Sequence, residues 1–483
     1  MNRTTQIHRG RKGRSALLSP VSLLAVLALP LSGCSIDSIL EVNDPDVATP
    51  ETIRDPANLT GLRNGALGDF MEAYAGNPIG GGGTEGIALS SGLLADELYV
   101  SDTFGTRQEV DRRNTTVENS GMSSVFRNLH RARRSAEVAA ELYAENAEHE
   151  RYSAVAHAEV TSLAGYTHLM FAENYCSGVP FSRITPDNRL EHGEPRTTAQ
   201  MQDAALSRFR AAQTITTNAA QLNLARVGEA RTLLNMNRPA EAAAAVAAVP
   251  TGYTFELQFS ENTPRQNNGI WAISHNRRGY GVAHREGGNG LPFRQGSSQA
   301  PATQDPRVPY TRTSARAIDF PYAHFWQLKY PARSSSMPLA TGIEARLIEA
   351  EAALRTNDWA TFVAKHNELR ATQPGLAPLV LANVTGMAQQ ARVDLHFRER
   401  AFWLYLTGQR LSDMRRLVRQ YNRPAESVFP TGTYGRLLFG GTAVADEDLP
   451  FRVQGTYGTD VNFPIPFDEQ NNPNFTECIN RNA

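Results

Sequence analysis

The chain has 483 residues, with 48 Lys and Arg against 49 Asp and Glu, and three cysteines. A net charge of −1 argues against nucleic acid as a general partner, since a phosphate backbone selects a basic surface. Lysine appears only at Lys12, Lys329 and Lys365, so arginine dominates the basic set, as coding bias in a GC-rich genome would produce. The length exceeds what one hydrophobic core usually serves, which leaves two domains or one elongated helical array.

The first element is a targeting segment. Arg3, Arg9, Arg11, Lys12 and Arg14 come before any acid, and residues 16–31 are almost entirely apolar, broken by small polar residues and by Pro20 and Pro30. A positive head, a short apolar core and small residues before a cut site describe an export signal. The core is shorter than the roughly 20 residues that span a bilayer as a helix. Leu31-Ser32-Gly33-Cys34 resembles the bacterial lipobox, in which the cysteine sulfur is alkylated with diacylglycerol and the chain is cut just before it. The alternative is an ordinary secretory signal with a chance cysteine. On the lipobox reading, residues 1–33 are a lipoprotein signal peptide and Cys34 is the lipidation site. Ser35 beside it is compatible with sorting to the outer membrane. One acyl chain alone holds weakly, and bacterial lipoproteins generally carry three. Removal of the signal leaves 450 residues, 43 of them basic and 49 acidic, for a net −6. No later apolar run reaches spanning length, so the mature chain is expected to be soluble apart from its anchor.

Residues 34–250 are expected to form an N-terminal helical part, with helical periodicity dominant from about Pro56 to Val249. Residues 55–76 begin at Asp55-Pro56 and end at Gly76, as a helix does. In residues 123–146, Val125, Leu129, Ala132, Ala136 and Ala139 fall on one face with arginines opposite. Residues 151–175 are predicted to be the antiparallel partner. Residues 225–250 read as a tetratricopeptide-like hairpin: a helix of small and apolar residues, an Asn-Met-Asn-Arg-Pro turn, an Ala-rich helix and a Pro stop. Residues 342–371 repeat that layout with Thr-Asn-Asp at the turn. Between the two lies a different kind of sequence. Residues 251–340 mix short strand-like pieces with Gly, Asn and Pro, and such a segment inside a repetitive scaffold is where binding function tends to sit. A second irregular stretch, residues 76–119, contains Gly80–Gly83 but no Gly-Lys-Ser/Thr of a phosphate loop. Residues 341–483 form a C-terminal helical part with a Pro-rich tail. The expected fold class is mainly α: a scaffold of tetratricopeptide-like helix pairs interrupted by a loop-rich insert.

Residues 394–417 sharpen the assignment. Phe397, Ala401, Leu404, Gly408, Leu411, Arg415 and Val418 lie three or four apart, so one face is mostly apolar, and Gly408 permits close packing or a bend. Glu399-Arg400, Phe402, Leu404, Gly408, Arg410, Asp413 and Arg415-Arg416 resemble the pattern of the SusD/RagB-like lipoproteins, with Thr407 where that family usually has Glu. Residues 344–358 look like the family's repeat helix. Pro464, Pro466, Glu469, Asn472 and Pro473 look like its C-terminal signature, and residues 166–182 are similar to its helix end followed by a Gly-Val-Pro turn. The matches run in order from residue 34 to about residue 475, as one unit over residues 34–483. The resemblance implies a SusD-like fold and a lipid-anchored, surface-exposed outer-membrane protein. Such a protein sits over a TonB-dependent SusC-like β-barrel transporter and captures an oligosaccharide or peptide for import.

Two rivals stand beside that reading. A glycosidase needs two facing carboxylates, and Asp96, Glu97, Asp358, Glu349 and Glu351 are available, though solvated or helix-capping roles are expected for Glu349 and Glu351. The other rival is a helical-repeat scaffold for protein assembly. No catalytic residue, cofactor or metal is assigned: no Gly-x-Ser-x-Gly elbow occurs, and the histidines, His275 and His284 among them, lack zinc-ligand spacing. Arg400, Arg410 and Asp413 are expected to be paired, since an unpaired buried charge is costly, and to tie down the Pro464–Pro466 segment. Candidate ligand contacts are aromatic rings, which stack on the flat face of a sugar, with amide and Arg groups for its hydroxyls. The insert offers Trp271, Tyr280, Tyr322, Phe325 and Trp326 with Asn276, Arg277 and Asn289; Tyr99 and Phe104 come from the earlier loop. With Cys34 alkylated, Cys176 and Cys478 remain as a pair in an oxidising compartment. A Cys176–Cys478 disulfide is expected to pin the tail to the N-terminal helical half; two isolated buried thiols are the alternative.

Overall fold

The computed structural model describes residues 54–77, 84–185, 189–294, 305–312, 316–318, 322–437 and 451–483. Cys34 and the signal segment lie outside the described residues. The helices of seven or more residues among them are α1 (Leu59–Ala75), α2 (Ile87–Leu94), α3 (Gly105–Asp111), α4 (Ser120–Glu145), α5 (Ala154–Asn174), α6 (Thr198–Ile215), α7 (Ala219–Asn235), α8 (Pro239–Val246), α9 (Gly342–Thr356), α10 (Trp359–Arg370), α11 (Gln389–Trp403) and α12 (Arg410–Tyr421). The strands of three or more are β1 (Leu98–Val100), β2 (Thr254–Leu257), β3 (Tyr280–Val282), β4 (Tyr310–Arg312), β5 (Phe325–Gln327), β6 (Met337–Thr341), β7 (Thr433–Leu437) and β8 (Phe451–Thr456). The fold is mainly α.

Local chemistry fixes the helix ends. Asn119 caps α4 by accepting from Met122 N, Ser153 caps α5 through Ala156 N, and Thr197 with Gln200 forms a reciprocal capping box on α6. The stripe Val125, Leu129, Ala132, Ala136 and Ala139 is wholly buried. From α4 to α8 each helix packs on the next, and α1 packs on α4. The α7–α8 and α9–α10 hairpins turn on Asn237 and Asn357, at φ 59° and 60°, a left-handed conformation that Asn tolerates better than most residues. Close approach comes from glycine. The Phe209 ring of α6 lies so near α5 and α7 that a Cβ at Gly165 or Gly228 would sit 2.9 or 2.2 Å from it.

The insert leaves this array without breaking it. α8 packs directly on α9, and β2 pairs antiparallel with β6, from Thr254↔Thr341 to Leu257↔Met337, so the insert's two ends are stitched together. Cys176, just after α5, and Cys478 in the tail form a disulfide with Cα atoms 6.0 Å apart.

Three expectations need correction. Residues 394–417 are two helices, not one continuous face: Leu406 (φ 53°) and Gly408 (φ 71°) turn the chain between α11 and α12, and the Glu97 carboxylate accepts Leu406 N–H at 2.9 Å to hold that turn. Arg400, Arg410 and Asp413 are buried and paired, yet they do not reach Pro464–Pro466. Arg400 bonds Asp413 at 2.8 Å, Asp413 accepts from Arg416 at 2.9 Å, and Arg410 grips Asp96 at 2.6 and 2.9 Å. The Pro-Ile-Pro segment is held instead by backbone bonds, Phe463 N–H to Asn174 O and Phe467 N–H to Val117 O. Glu351 is neither solvated nor capping. It is buried among Arg416, His396 and the Tyr421 hydroxyl, and the Arg416 charge with these hydrogen bonds holds its carboxyl well below the usual range despite burial.

Candidate functional site

The insert builds a small platform. β1 pairs with β3 (Leu98↔Val282), β4 pairs with β5 (Tyr310↔Gln327), and β5 packs against β3. Before β3 the chain makes a helical turn over residues 269–276, whose second half, Ala272–Asn276, widens to π geometry, a form frequent at functional sites. Asn268 fixes it from three directions: its side-chain oxygen accepts from Trp271 N, its amide donates to Ser335 O, and its backbone N–H donates to Arg333 O.

That turn lines up rings. Trp271 and His275 stack with centroids 6.2 Å apart and planes 8° off parallel, and Trp326 of β5 lies 5.2 Å from His275. Arg333 covers Trp271 at 5.1 Å. All three rings are half-buried. Gln327 donates to His275 Nδ1 at 3.4 Å, while His275 Nε2 and Trp326 Nε1 have no partner among the described residues. Burial pushes the imidazole down to about 4, so it is neutral at physiological pH. On the same turn, Arg277 lies over the ring of Phe104 at 4.9 Å, with Arg107 at 4.8 Å; Phe104 is 43% exposed and Asn276 is exposed.

Other expected contacts are not surfaces. Tyr280, Tyr322 and Phe325 are buried; in β5 Phe325 and Gln327 point inward while Trp326 between them faces the other side, as strand side chains alternate. Arg107 covers Tyr280, the Tyr322 hydroxyl bonds Gln454, and Arg294 lies 3.7 Å from the centre of the Phe325 ring. Asn289 is exposed, but its amide bonds Glu426 O and Phe429 O, so it fastens a loop. Tyr99 is buried and donates to Ala323 O at 2.7 Å.

Tyr99 leads to a feature that aromatic counting misses. It borders a cavity of about 560 Å³, whose lining includes Arg285, Glu286, Arg294, Arg436 and Tyr457. Arg436 lies over the Tyr99 ring at 5.0 Å, donates to Glu286 at 2.8 Å and bonds the buried Asp111. The Tyr457 hydroxyl donates to Glu286 at 2.6 Å. In sequence much of the lining comes from two glycine-punctuated stretches, residues 284–288 and 431–436. The second lies outside the insert, which hid their convergence. His275 likewise enters as part of the ring stack, a role that a search for metal spacing does not test.

The candidate carboxylates are otherwise engaged. Asp96 takes Arg410, Asp358 caps α10 through Thr361 N, Glu349 takes Lys365 and Arg346, and Glu351 takes Arg416. Glu97 bonds Leu406 N–H and is pushed up to about 8 by burial. Among the described residues no group of three or more His, Cys, Asp or Glu could hold a metal ion, and no described helix is long and apolar enough to cross a membrane.

No protein-family model and no curated protein matches the sequence. Solved structures do. A SusD-like carbohydrate binding protein from Bacteroides vulgatus is 11% identical at TM-score 0.58, over 87% of this chain and 97% of that one. A SusD-like protein from Bacteroides fragilis is 14% identical at TM-score 0.60, over 89% and 98%. Surface glycan-binding protein A from Bacteroides uniformis is 13% identical at TM-score 0.60, over 87% and 99%. The chain has the SusD-like fold.

Proposed function

We propose that this chain is a lipid-anchored protein of the outer cell surface that captures a glycan and passes it to a TonB-dependent SusC-like barrel without altering it. One observation carries the reading: Trp271, His275 and Trp326 form a half-open stack of rings on the loop-rich insert. Sugar rings have flat C–H faces, and aromatic side chains meet them with rigid apolar area and a polar edge. Arg333 covers Trp271, and Arg277 and exposed Asn276 follow His275 in the chain, so donors suited to hydroxyls come from the same segment. Two solved proteins of the same fold are described as carbohydrate- or glycan-binding, which supports this ligand class over a peptide. The anchor at Cys34 and the barrel partner rest on the lipobox and on the sequence resemblance.

The test is a glycan and peptide array probed with residues 35–483. Binding to one or more glycans is expected, and Trp326→Ala and Trp271→Ala are each expected to weaken it about tenfold with circular dichroism unchanged. Binding confined to peptides, or full glycan affinity in both variants, overturns the glycan reading. Steady release of a shortened product overturns its non-catalytic part.

A further inference from the structure

The ring stack depends on one turn, and that turn is held from outside. Over Ala272–Asn276 the helix widens to π geometry, and the stack needs the His275 ring kept parallel to Trp271 and close to Trp326. Ser274, the residue before His275, is buried, and three bonds meet on it. Its hydroxyl donates to Ile270 O at 2.7 Å, its carbonyl oxygen accepts from Nε2 of the buried His324 at 2.7 Å, and its Oγ accepts from Gln327 Nε2 at 3.2 Å. The last bond has a second end. Gln327 Oε1 accepts Tyr330 N–H at 2.8 Å, while Nε2 donates to Tyr330 O at 2.9 Å. An amide oxygen accepts and its nitrogen donates, so these two bonds fix which way round the amide sits. One N–H is spent on Tyr330 O, and the other points between Ser274 Oγ and His275 Nδ1, which are 3.0 Å apart. Tyr330 is itself fastened to the helical scaffold, since its hydroxyl donates to Leu406 O at 3.1 Å in the turn between α11 and α12. A continuous path therefore runs from that turn through Tyr330 and Gln327 to the imidazole in the stack.

We infer that Gln327 is a positioning residue of the ring stack, holding His275 in line with Trp271 and Trp326 without meeting the sugar; its effect on affinity rests on the glycan reading. At 1% exposure Gln327 has no surface to offer a ligand, whereas the ring it holds is half-buried. Its neighbour in β5, Trp326, faces the other side and joins the stack, so one short strand supplies both a ring and the clamp on the next ring. Gln327→Leu fills a similar volume but leaves the N–H and O of buried Tyr330 without these partners, and it releases the imidazole. A stack that has to be ordered at the moment of binding gives back part of its binding energy.

A double-mutant cycle on glycan affinity separates positioning from general support. The glycan array is probed with residues 35–483 as wild type, Gln327→Leu, His275→Ala and the double variant, with apparent dissociation constants read by titrating the protein. Each single change is expected to weaken binding about tenfold. The double variant is expected to lose about the same tenfold, because Gln327 acts through the ring that His275→Ala removes. A loss of about a hundredfold in the double variant, as independent effects would give, or full affinity in Gln327→Leu, overturns the inference. Long-range proton–nitrogen NMR of the histidine rings gives a second readout that needs no sugar, with His275→Ala identifying the signal by its absence. Burial pushes His275 down to about 4 in the wild type. In Gln327→Leu the ring is expected to turn toward water and titrate nearer the ordinary value of about 6.5. Should Gln327→Leu not fold, Ser274→Ala removes the hydroxyl that Gln327 holds, and the same upward shift is expected. An unshifted titration overturns the inference whatever the array shows. A wild type that binds no glycan overturns the glycan reading, and the histidine titration then decides the positioning role alone.

Discussion

Arg410 and Asp96 are 314 positions apart, and the bidentate bond between them is fully buried. A pair of this kind adds little net stability over an apolar equivalent, but removal of one partner strands the other charge in the interior, at about 3–5 kcal/mol. Arg410→Ala is therefore expected to lower unfolding free energy by about that amount in a urea titration, with the folded protein's ligand affinity unchanged. A loss under about 1 kcal/mol would mean that water reaches Asp96 and the pair is not structural. The sequence shows that Arg400, Arg410 and Asp413 need partners, because charges on a mostly apolar face cannot stay bare. It does not show which partners, since Asp96 is brought in by tertiary packing alone. The same limit governs the rings. Trp271 and Trp326 are as aromatic as Tyr280 and Phe325, and only the tertiary packing each meets divides half-buried rings from buried ones.

Elements with a local cause are legible. Pro56, Gly76, the caps at Asn119 and Ser153, and the two Asn turns act over a few residues, so the helical hairpins can be read directly. The break between α11 and α12 cannot, since apolar spacing continues across it and the turn is held by Glu97 from a distant segment. Glycine separates local preference from packing. Gly65 in α1 is exposed, with nothing within 4 Å of the place a Cβ would take, so Gly65→Ala is expected to stabilise by roughly 0.5–1 kcal/mol through helix propensity. Gly228 in α7 has the same propensity to gain, but the Phe209 ring occupies the place of its Cβ. Overpacking there costs about 1–3 kcal/mol, so Gly228→Ala is expected to lower the melting temperature while Gly65→Ala raises it. Two shifts of the same sign would mean that α6 and α7 do not pack as closely as described.

At the scale of the whole molecule, the chain's late segment is fastened to its early half. Asn174, Cys176 and Ser177 accept or donate backbone bonds to Phe463, Ile479 and Asn480, and the Cys176–Cys478 disulfide closes this seam across 302 positions. The pairing of these cysteines is legible because only two remain once Cys34 is set aside, while the backbone seam around them is not, since it has no side-chain signature. A cross-link over so long a loop acts chiefly on the unfolded chain, and loop entropy gives on the order of 5 kcal/mol, often less in practice. The backbone bonds of the seam persist without it, so Cys176→Ser with Cys478→Ser is expected to fold and to keep its ligand affinity. It is expected to unfold at lower urea, by an amount that reduction of the wild type reproduces and that reduction of the double variant does not increase. Thiol alkylation checks the bond itself: denatured, unreduced mature protein is expected to label at neither Cys176 nor Cys478, and at both after reduction. Labelling before reduction, or an unchanged urea midpoint in the double variant, would leave the backbone seam as the sole fastening between the tail and the helical array.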